Sequence, residues 1–198
     1  MRRWTSKKIK AFLKLDNETI ITPKQIHGDS VIRVSENSSP SECDAIIFKA
    51  NSNIIGTINV ADCIPICIYD FDNKNIALVH SGWRGTHKKI ILKAICFLEE
   101  MGADRKTIKI FLGPSIRGCC YEVDKLFTSK FDSCSIQKHN EKYFVDLSIQ
   151  VKFDLENAFV PSTNIIIDDL CTYEDVYCHS FRRDGRNAGR MTLVAYKD

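Results

Sequence analysis

Ile54-Ile55-Gly56-Thr57-Ile58-Asn59-Val60, Ile64-Pro65-Ile66-Cys67-Ile68-Tyr69-Asp70 and Ile76-Ala77-Leu78-Val79-His80 follow one another with only a few residues between them. Each run is rich in β-branched residues and too short for a buried helix, so the pattern predicts three successive strands. Ala45–Lys49 and Ser30–Val34 add two more strand-like runs upstream. No helix-length segment separates these runs. A doubly wound sheet alternates strand with helix, so the first half of the chain predicts an α+β fold with mixed or antiparallel sheets. Pro65, lacking an N–H, marks an edge or a bend in its run.

Downstream, Thr86–Met101 reads as a helix: Ile91, Ala94, Ile95 and Leu98 form one apolar stripe, and Gly102 can end it. Thr107–Leu112 is the next strand. Tyr121–Phe131 carries Val123, Leu126, Phe127 and Phe131 at helical spacing, and Leu147–Phe159 reads as another helix. Strands are expected near Asn164–Asp168, Val176–Phe181 and Met191–Tyr196, and residues 34–42 read as a surface loop.

With 198 residues the chain reads as one domain, 1–198, that can bury a sizeable core without disulfides. The net charge of +3 is too small to argue for nucleic acid. Basic residues cluster at Arg2, Arg3, Lys7, Lys8, Lys10 and Lys14, and again at 182–190; the first group reads as a solvated terminal segment. No apolar stretch approaches the roughly 18 residues of a membrane span. Nine cysteines, an odd number at irregular spacing and without a secretory signal, point to a reduced, cytoplasmic protein. Several of them, such as Cys67 and Cys96, sit in apolar runs where a thiol behaves as a small hydrophobe. There is no C-x-x-C pair of the zinc-ribbon kind.

Three short runs carry candidate chemistry: Gln25-Ile26-His27-Gly28, Ala61-Asp62-Cys63-Ile64-Pro65 and His80-Ser81-Gly82-Trp83-Arg84-Gly85. Two imidazoles and a thiolate, from His27, Cys63 and His80, make a three-ligand set that suits zinc and leaves a fourth position for water. Taken singly, each has a plainer reading: a surface histidine, a core cysteine, a histidine at a strand end. Spacing alone does not make them converge.

Two further runs follow, Gly113-Pro114-Ser115-Ile116-Arg117-Gly118-Cys119-Cys120-Tyr121-Glu122-Val123 and Cys171-Thr172 with Arg182-Arg183-Asp184-Gly185 and Gly189-Arg190. In this order the five runs resemble the multi-copper polyphenol oxidoreductase (laccase-domain) family, also described as zinc-dependent purine nucleoside phosphorylases with adenosine deaminase activity and as peptidoglycan editing factors. The resemblance covers about residue 20 to the C-terminus. It implies mixed sheets flanked by helices in α/β/β/α layers, with a catalytic metal on His27, Cys63 and His80. The sequence departs from the family in three places. Only 26 residues precede His27, without a Thr-Arg-x-Gly-Gly type run, so part of the substrate wall is expected to be missing or rebuilt. Val60 stands where a threonine often occurs, and Phe181 replaces a polar ring, with His179 two residues earlier.

The resemblance implies small-molecule substrates, a purine nucleoside and phosphate, with no nucleic-acid or membrane partner. Water on such a metal has its pKa lowered towards roughly 7 and could displace the amino group of adenosine at C6. In phosphorolysis, phosphate attacks C1′ of the ribose as the purine leaves. Arg84, Arg182 and Arg183 are the candidate phosphate ligands, because guanidinium forks match phosphate oxygens. Trp83 suits core packing and base stacking equally. Asp62 and Glu122 are candidate proton-transfer groups; Asp62 is also read as a substrate-binding residue or as a carboxylate orienting a ligand histidine. Cys119 lines the pocket, packs beside Cys120, or serves as a helix-terminal thiolate in a cysteine hydrolase. Copper phenol oxidation is the alternative chemistry, although the chain has only five histidines to build copper centres. A non-catalytic metal- or nucleotide-binding protein is the alternative of another class. Oligomeric state is not readable from these features.

Overall fold

The computed structural model describes residues 4–39 and 41–197. In chain order these form α1 (Ser6–Leu13), β1 (Thr19–Ile21), β2 (Val31–Arg33), β3 (Ala45–Lys49), β4 (Ile54–Val60), β5 (Ile64–Asp70) and β6 (Asn75–Ser81). Helices α2 (Trp83–His87) and α3 (Ile90–Glu100) lead to β7 (Lys109–Leu112), β8 (Glu122–Val123) and α4 (Lys125–Thr128). The hairpin of β9 (Ile136–His139) and β10 (Lys142–Val145) precedes α5 (Leu147–Asn157) and β11 (Ile165–Ile167). Last come α6 (Phe181–Asp184) and β12 (Met191–Ala195). Arg2, Arg3 and Pro40 lie outside the described residues.

The α+β class read from the sequence holds. The largest sheet runs β11-β7-β5-β6-β3-β2 and mixes parallel and antiparallel pairs. A second sheet is ordered β1-β4-β12, and a third, β8-β10-β9. Alternation along β3 shows how the layers arise. Ala45 and Ile47 face a core shared with Ile66, Val79, Ile95 of α3 and Val151 of α5. Ile46 and Phe48 face a second core shared with Ile21 of β1 and Ile54 and Ile58 of β4. The large sheet is therefore buried on both faces, which is why its strands read as near-continuous apolar runs. Gly56 lets the two sheets approach: a Cβ there would lie 2.4 Å from a ring carbon of Phe48.

Several expectations need correction. Pro65 lies in an interior strand, not at an edge. It is tolerated because the β5–β7 ladder begins at Ile66, so the missing N–H falls at the ladder's end. The helix expected over Thr86–Met101 is two helices, broken at Lys88 and Lys89, where Lys89 turns left-handed at φ 57°. Tyr121–Phe131 is not one helix. Glu122 and Val123 pair with β10, and Asp124 then caps a single helical turn by accepting from Phe127 N. Val176–Phe181 is not a strand. Val176 and Tyr177 are exposed, and the carbonyls of Asp175 and Cys178 are taken by the Arg183 guanidinium. No helix among the described residues is long and apolar enough to cross a membrane.

Candidate metal centre

His27, Cys63 and His80 converge. One ligand atom from each lies within 4.8 Å of the others, and the two imidazole rings meet edge to face, 4.8 Å between centroids. Each residue arrives from a different place: His27 from the loop after β1, Cys63 from the turn joining β4 to β5, and His80 from the end of β6. His27 adopts a left-handed backbone at φ 57°, which puts the peptide N–H groups around it on one side of the loop. Gln25 pins the same loop to β4, donating to Asn59 O at 2.8 Å and accepting from Asn59 N at 2.9 Å.

The organising group is Asp44, fully buried just before β3. Its carboxylate accepts from the backbone N–H of Ile26, His27 and Gly28 at 3.3, 3.0 and 2.6 Å. It also lies 2.8 Å from His80 Nδ1, while its own carbonyl accepts from His80 N at 2.7 Å. One carboxylate thus fixes both the loop that carries His27 and the ring of His80. With Nδ1 committed to Asp44, Nε2 of His80 is the nitrogen left to bind a metal, the carboxylate–histidine arrangement found behind metal ligands. Gly82 supplies room for the thiol, since a Cβ there would lie 2.8 Å from Cys63 Sγ.

Burial disfavours charge at Cys63, yet the neighbouring His27 and His80 rings outweigh it and hold the thiol down at about 7. Burial likewise opposes charge on His80, but Asp44 and the Cys63 sulfur lift that imidazole to about 9. For Asp44 burial is outweighed by His80 and by the N–H groups of Gly28 and His27, so its carboxyl sits below the usual range. The pocket therefore stabilises a thiolate facing imidazoles. A borderline-soft cation can replace the protons of such a set, and three protein donors leave a position for substrate or water.

His27, Cys63 and His80 border a cavity of about 650 Å³, also lined by Asp62, Trp83, Arg84, Tyr121, Arg182 and Arg190. Arg84 stacks 4.3 Å above the Trp83 ring and Arg182 lies 4.8 Å from the Tyr121 ring centre. Arg182 also donates to Glu122 O at 2.8 Å, so its guanidinium is held rather than free-swinging. Trp83 itself packs edge-on against Phe127. Val60 and Phe181, two of the departures from the family pattern, both line the cavity.

Other expected residues fall elsewhere or act differently. Arg183 does not line the cavity: its guanidinium binds the Asp184 carboxylate and the carbonyls of Thr172, Tyr173, Asp175 and Cys178 at 2.7 to 3.0 Å. It staples the 172–178 loop and has no donor left for phosphate. Asp62 does not orient a ligand histidine. It accepts from Thr172 Oγ1 and from Arg182 N, each at 2.6 Å, and so anchors the segment that presents Arg182. Cys119 lies outside the cavity lining, with its sulfur 3.1 Å from that of Cys120. Of the remaining histidines, His87 is bound to Lys130 O, His139 packs against Phe144, and His179 fills the space a side chain at Gly189 would need.

Sequence reasoning missed Asp44, and it quoted Tyr121 and Arg190 within motif runs without giving either a role. Asp44 had a faint signal, an acid set between Cys43 and the wholly apolar start of β3, where an unpaired charge would be expensive.

The family described as multi-copper polyphenol oxidoreductase laccase matches residues 4–197. A protein of Aquifex aeolicus named purine nucleoside phosphorylase is 35% identical over 178 residues, covering 89% of this chain and 82% of that protein. One of Clostridium acetobutylicum with the same name is 32% identical over 177 residues, covering 85% and 72%. Among solved structures, YlmD from Geobacillus stearothermophilus superposes with a TM-score of 0.89 at 22% identity, covering 97% of this chain and 78% of that one. YfiH from Bacillus licheniformis gives 0.87 at 24%, covering 96% and 79%. At these identities the two structures speak for the fold.

Proposed function

The chain belongs to the multi-copper polyphenol oxidoreductase laccase family, and within it we propose that this protein is a zinc-dependent purine nucleoside phosphorylase. The observation that carries the reading is the meeting of the His27–Cys63–His80 donor set with arginines in one cavity large enough for a nucleoside. The names of the relatives support the substrate class.

His27, Cys63 and His80 would hold the zinc, which when bound supplies Lewis acidity to the substrate beside it. Arg84 and Arg182 hold the phosphate, with Arg190 the third cation on the lining. Stacking on Trp83 and Tyr121 orients both guanidinium groups before phosphate arrives, so little ordering remains to be done on binding. A phosphate oxygen bonds to C1′ as the C1′–N9 bond breaks, and the purine departs with that electron pair. Adenosine deamination is a second activity of the same centre, with water replacing the amino group at C6 and ammonia leaving.

Copper phenol oxidation is less well served. The other three histidines are engaged away from His27 and His80, leaving two imidazoles where a multi-copper arrangement needs many.

The test is turnover of inosine and adenosine by zinc-loaded protein, with and without phosphate. The expected result is base release that requires phosphate and yields ribose 1-phosphate. Zinc-loaded protein that releases no base, or releases it equally without phosphate, would overturn the assignment.

A further inference from the structure

Behind one wall of the cavity lies a second convergence of donors. Cys119 and Cys120 come from the loop after β7; Cys171 and Glu174 come from the loop after β11. Their sulfur and carboxylate atoms all lie within 4.8 Å of one another. The two loops are joined independently of these side chains. Ser115 and Cys171 form a parallel bridge, Thr172 N donates to Ser115 O at 3.1 Å, and Arg117 Nη1 donates to Asp168 O at 2.7 Å.

We propose that Cys119, Cys120, Cys171 and Glu174 form a second cation site, a closed four-ligand centre for zinc or a similarly thiophilic divalent ion. Zinc–sulfur bonds of about 2.3 Å put tetrahedral ligands about 3.8 Å apart, so the four donors need shifts of under about an ångström to close on one ion. The donor chemistry is thiolate-rich, which selects zinc-like ions over calcium or magnesium. Core packing does not account for the cluster, because Cys119 is exposed and Cys120 is only half-buried, whereas structural thiols of the interior are enclosed. Cys171 is buried, and the backbone N–H groups of Arg117, Tyr173 and Glu174 point at its sulfur. Such N–H contacts support a ligating thiolate from outside the coordination sphere.

The two centres differ in kind. The His27–Cys63–His80 set has three donors and an open position, suited to chemistry. The second set has four donors and no open position, suited to holding structure. Its position gives it something to hold. Tyr121 follows Cys120 directly, and Thr172, next to Cys171, donates to Asp62, which in turn anchors Arg182. A cation here would brace the wall that carries Tyr121 and Arg182.

The experiment is zinc stoichiometry on full-length protein purified under reductant and dialysed against excess zinc. Wild type should retain about two ions per chain, and His80→Ala and Cys171→Ser about one each, each from a different centre. Zinc should also protect Cys119 and Cys120 from maleimide in the His80→Ala protein. Should Cys171→Ser fold poorly by circular dichroism, Glu174→Gln and Cys120→Ser, which lie nearer the surface, replace it and should each weaken retention of the second ion at least tenfold in a chelator competition. Wild type holding one zinc that disappears in His80→Ala would overturn the second site. So would a second zinc indifferent to all three of Cys171→Ser, Cys120→Ser and Glu174→Gln. Neither outcome depends on nucleoside turnover, so failure of this site and failure of the phosphorylase reading are separable.

Discussion

Asp44→Asn should damage the metal centre without touching the metal. Asparagine has the size of aspartate, but it offers one acceptor oxygen where Asp44 uses two, and its NH2 group must face other donors. Asp44 accepts from three backbone N–H groups and meets His80 Nδ1, four partners in all. An asparagine oriented to serve either oxygen's partners loses about half of them. At roughly 1.5–3 kcal/mol for a hydrogen bond to a charged group, two lost bonds cost the metal-free protein about 3–6 kcal/mol. Loss of the carboxylate behind a ligand histidine lowers metal affinity by about 10–100-fold. Zinc affinity measured by competition with a chromophoric chelator, beside urea unfolding of the metal-free protein, reads both quantities. Asp62→Asn is the contrast, because its carboxylate serves Thr172 and Arg182 and touches no ligand ring, so zinc affinity should stay near wild type. If Asp44→Asn bound zinc within twofold of wild type and unfolded at the same urea concentration, Asp44 would not be the organiser argued for above.

Three other outcomes follow from particular contacts. Gly82→Ala places a methyl 2.8 Å from Cys63 Sγ, so the thiolate must move and metal analysis should show zinc largely lost while the fold persists by circular dichroism. Arg182→Ala should raise the KM for phosphate by roughly 10-fold or more, the value of a charge-assisted bond, with a smaller effect on nucleoside KM; Arg183→Ala should instead lower thermal stability by freeing the 172–178 loop. In metal-free protein the alkylation rate of Cys63 should climb with pH through about 7, as its thiol gives way to thiolate, while Cys67, raised by burial to about 11, stays inert over that range; mass-mapped iodoacetamide labelling checks both, and bound zinc should abolish the Cys63 reaction.

The central strands were legible because burial on both faces leaves a local signature. Ala45–Lys49, Ile54–Val60 and Ile64–Asp70 are rich in isoleucine and other apolar residues, and their bounds agree with β3, β4 and β5 residue for residue. Elements set by a tertiary contact were not legible. Val176–Phe181 has strand-like composition, but the Arg183 guanidinium binds the carbonyl of Cys178, which a ladder would need. The small β8-β10-β9 sheet went unforeseen because its strands are short and bury little, Val145 alone being fully enclosed. The same division runs through the site. The three candidate ligands were visible as motifs, whereas Asp44 was not, because a lone aspartate before a strand looks like a surface residue until His80 and the 26–28 loop fold over it. Cys119, Cys120 and Cys171 show no metal spacing in sequence, since two loops far apart in the chain supply them.

The most direct test of the account is zinc content and phosphate-dependent base release from inosine, measured on the same preparations of wild type and His80→Ala. The account predicts that wild type releases base only with phosphate, and that His80→Ala loses the ion of the His27–Cys63–His80 centre together with turnover. A His80→Ala protein that had lost that ion and kept full phosphate-dependent activity would contradict it.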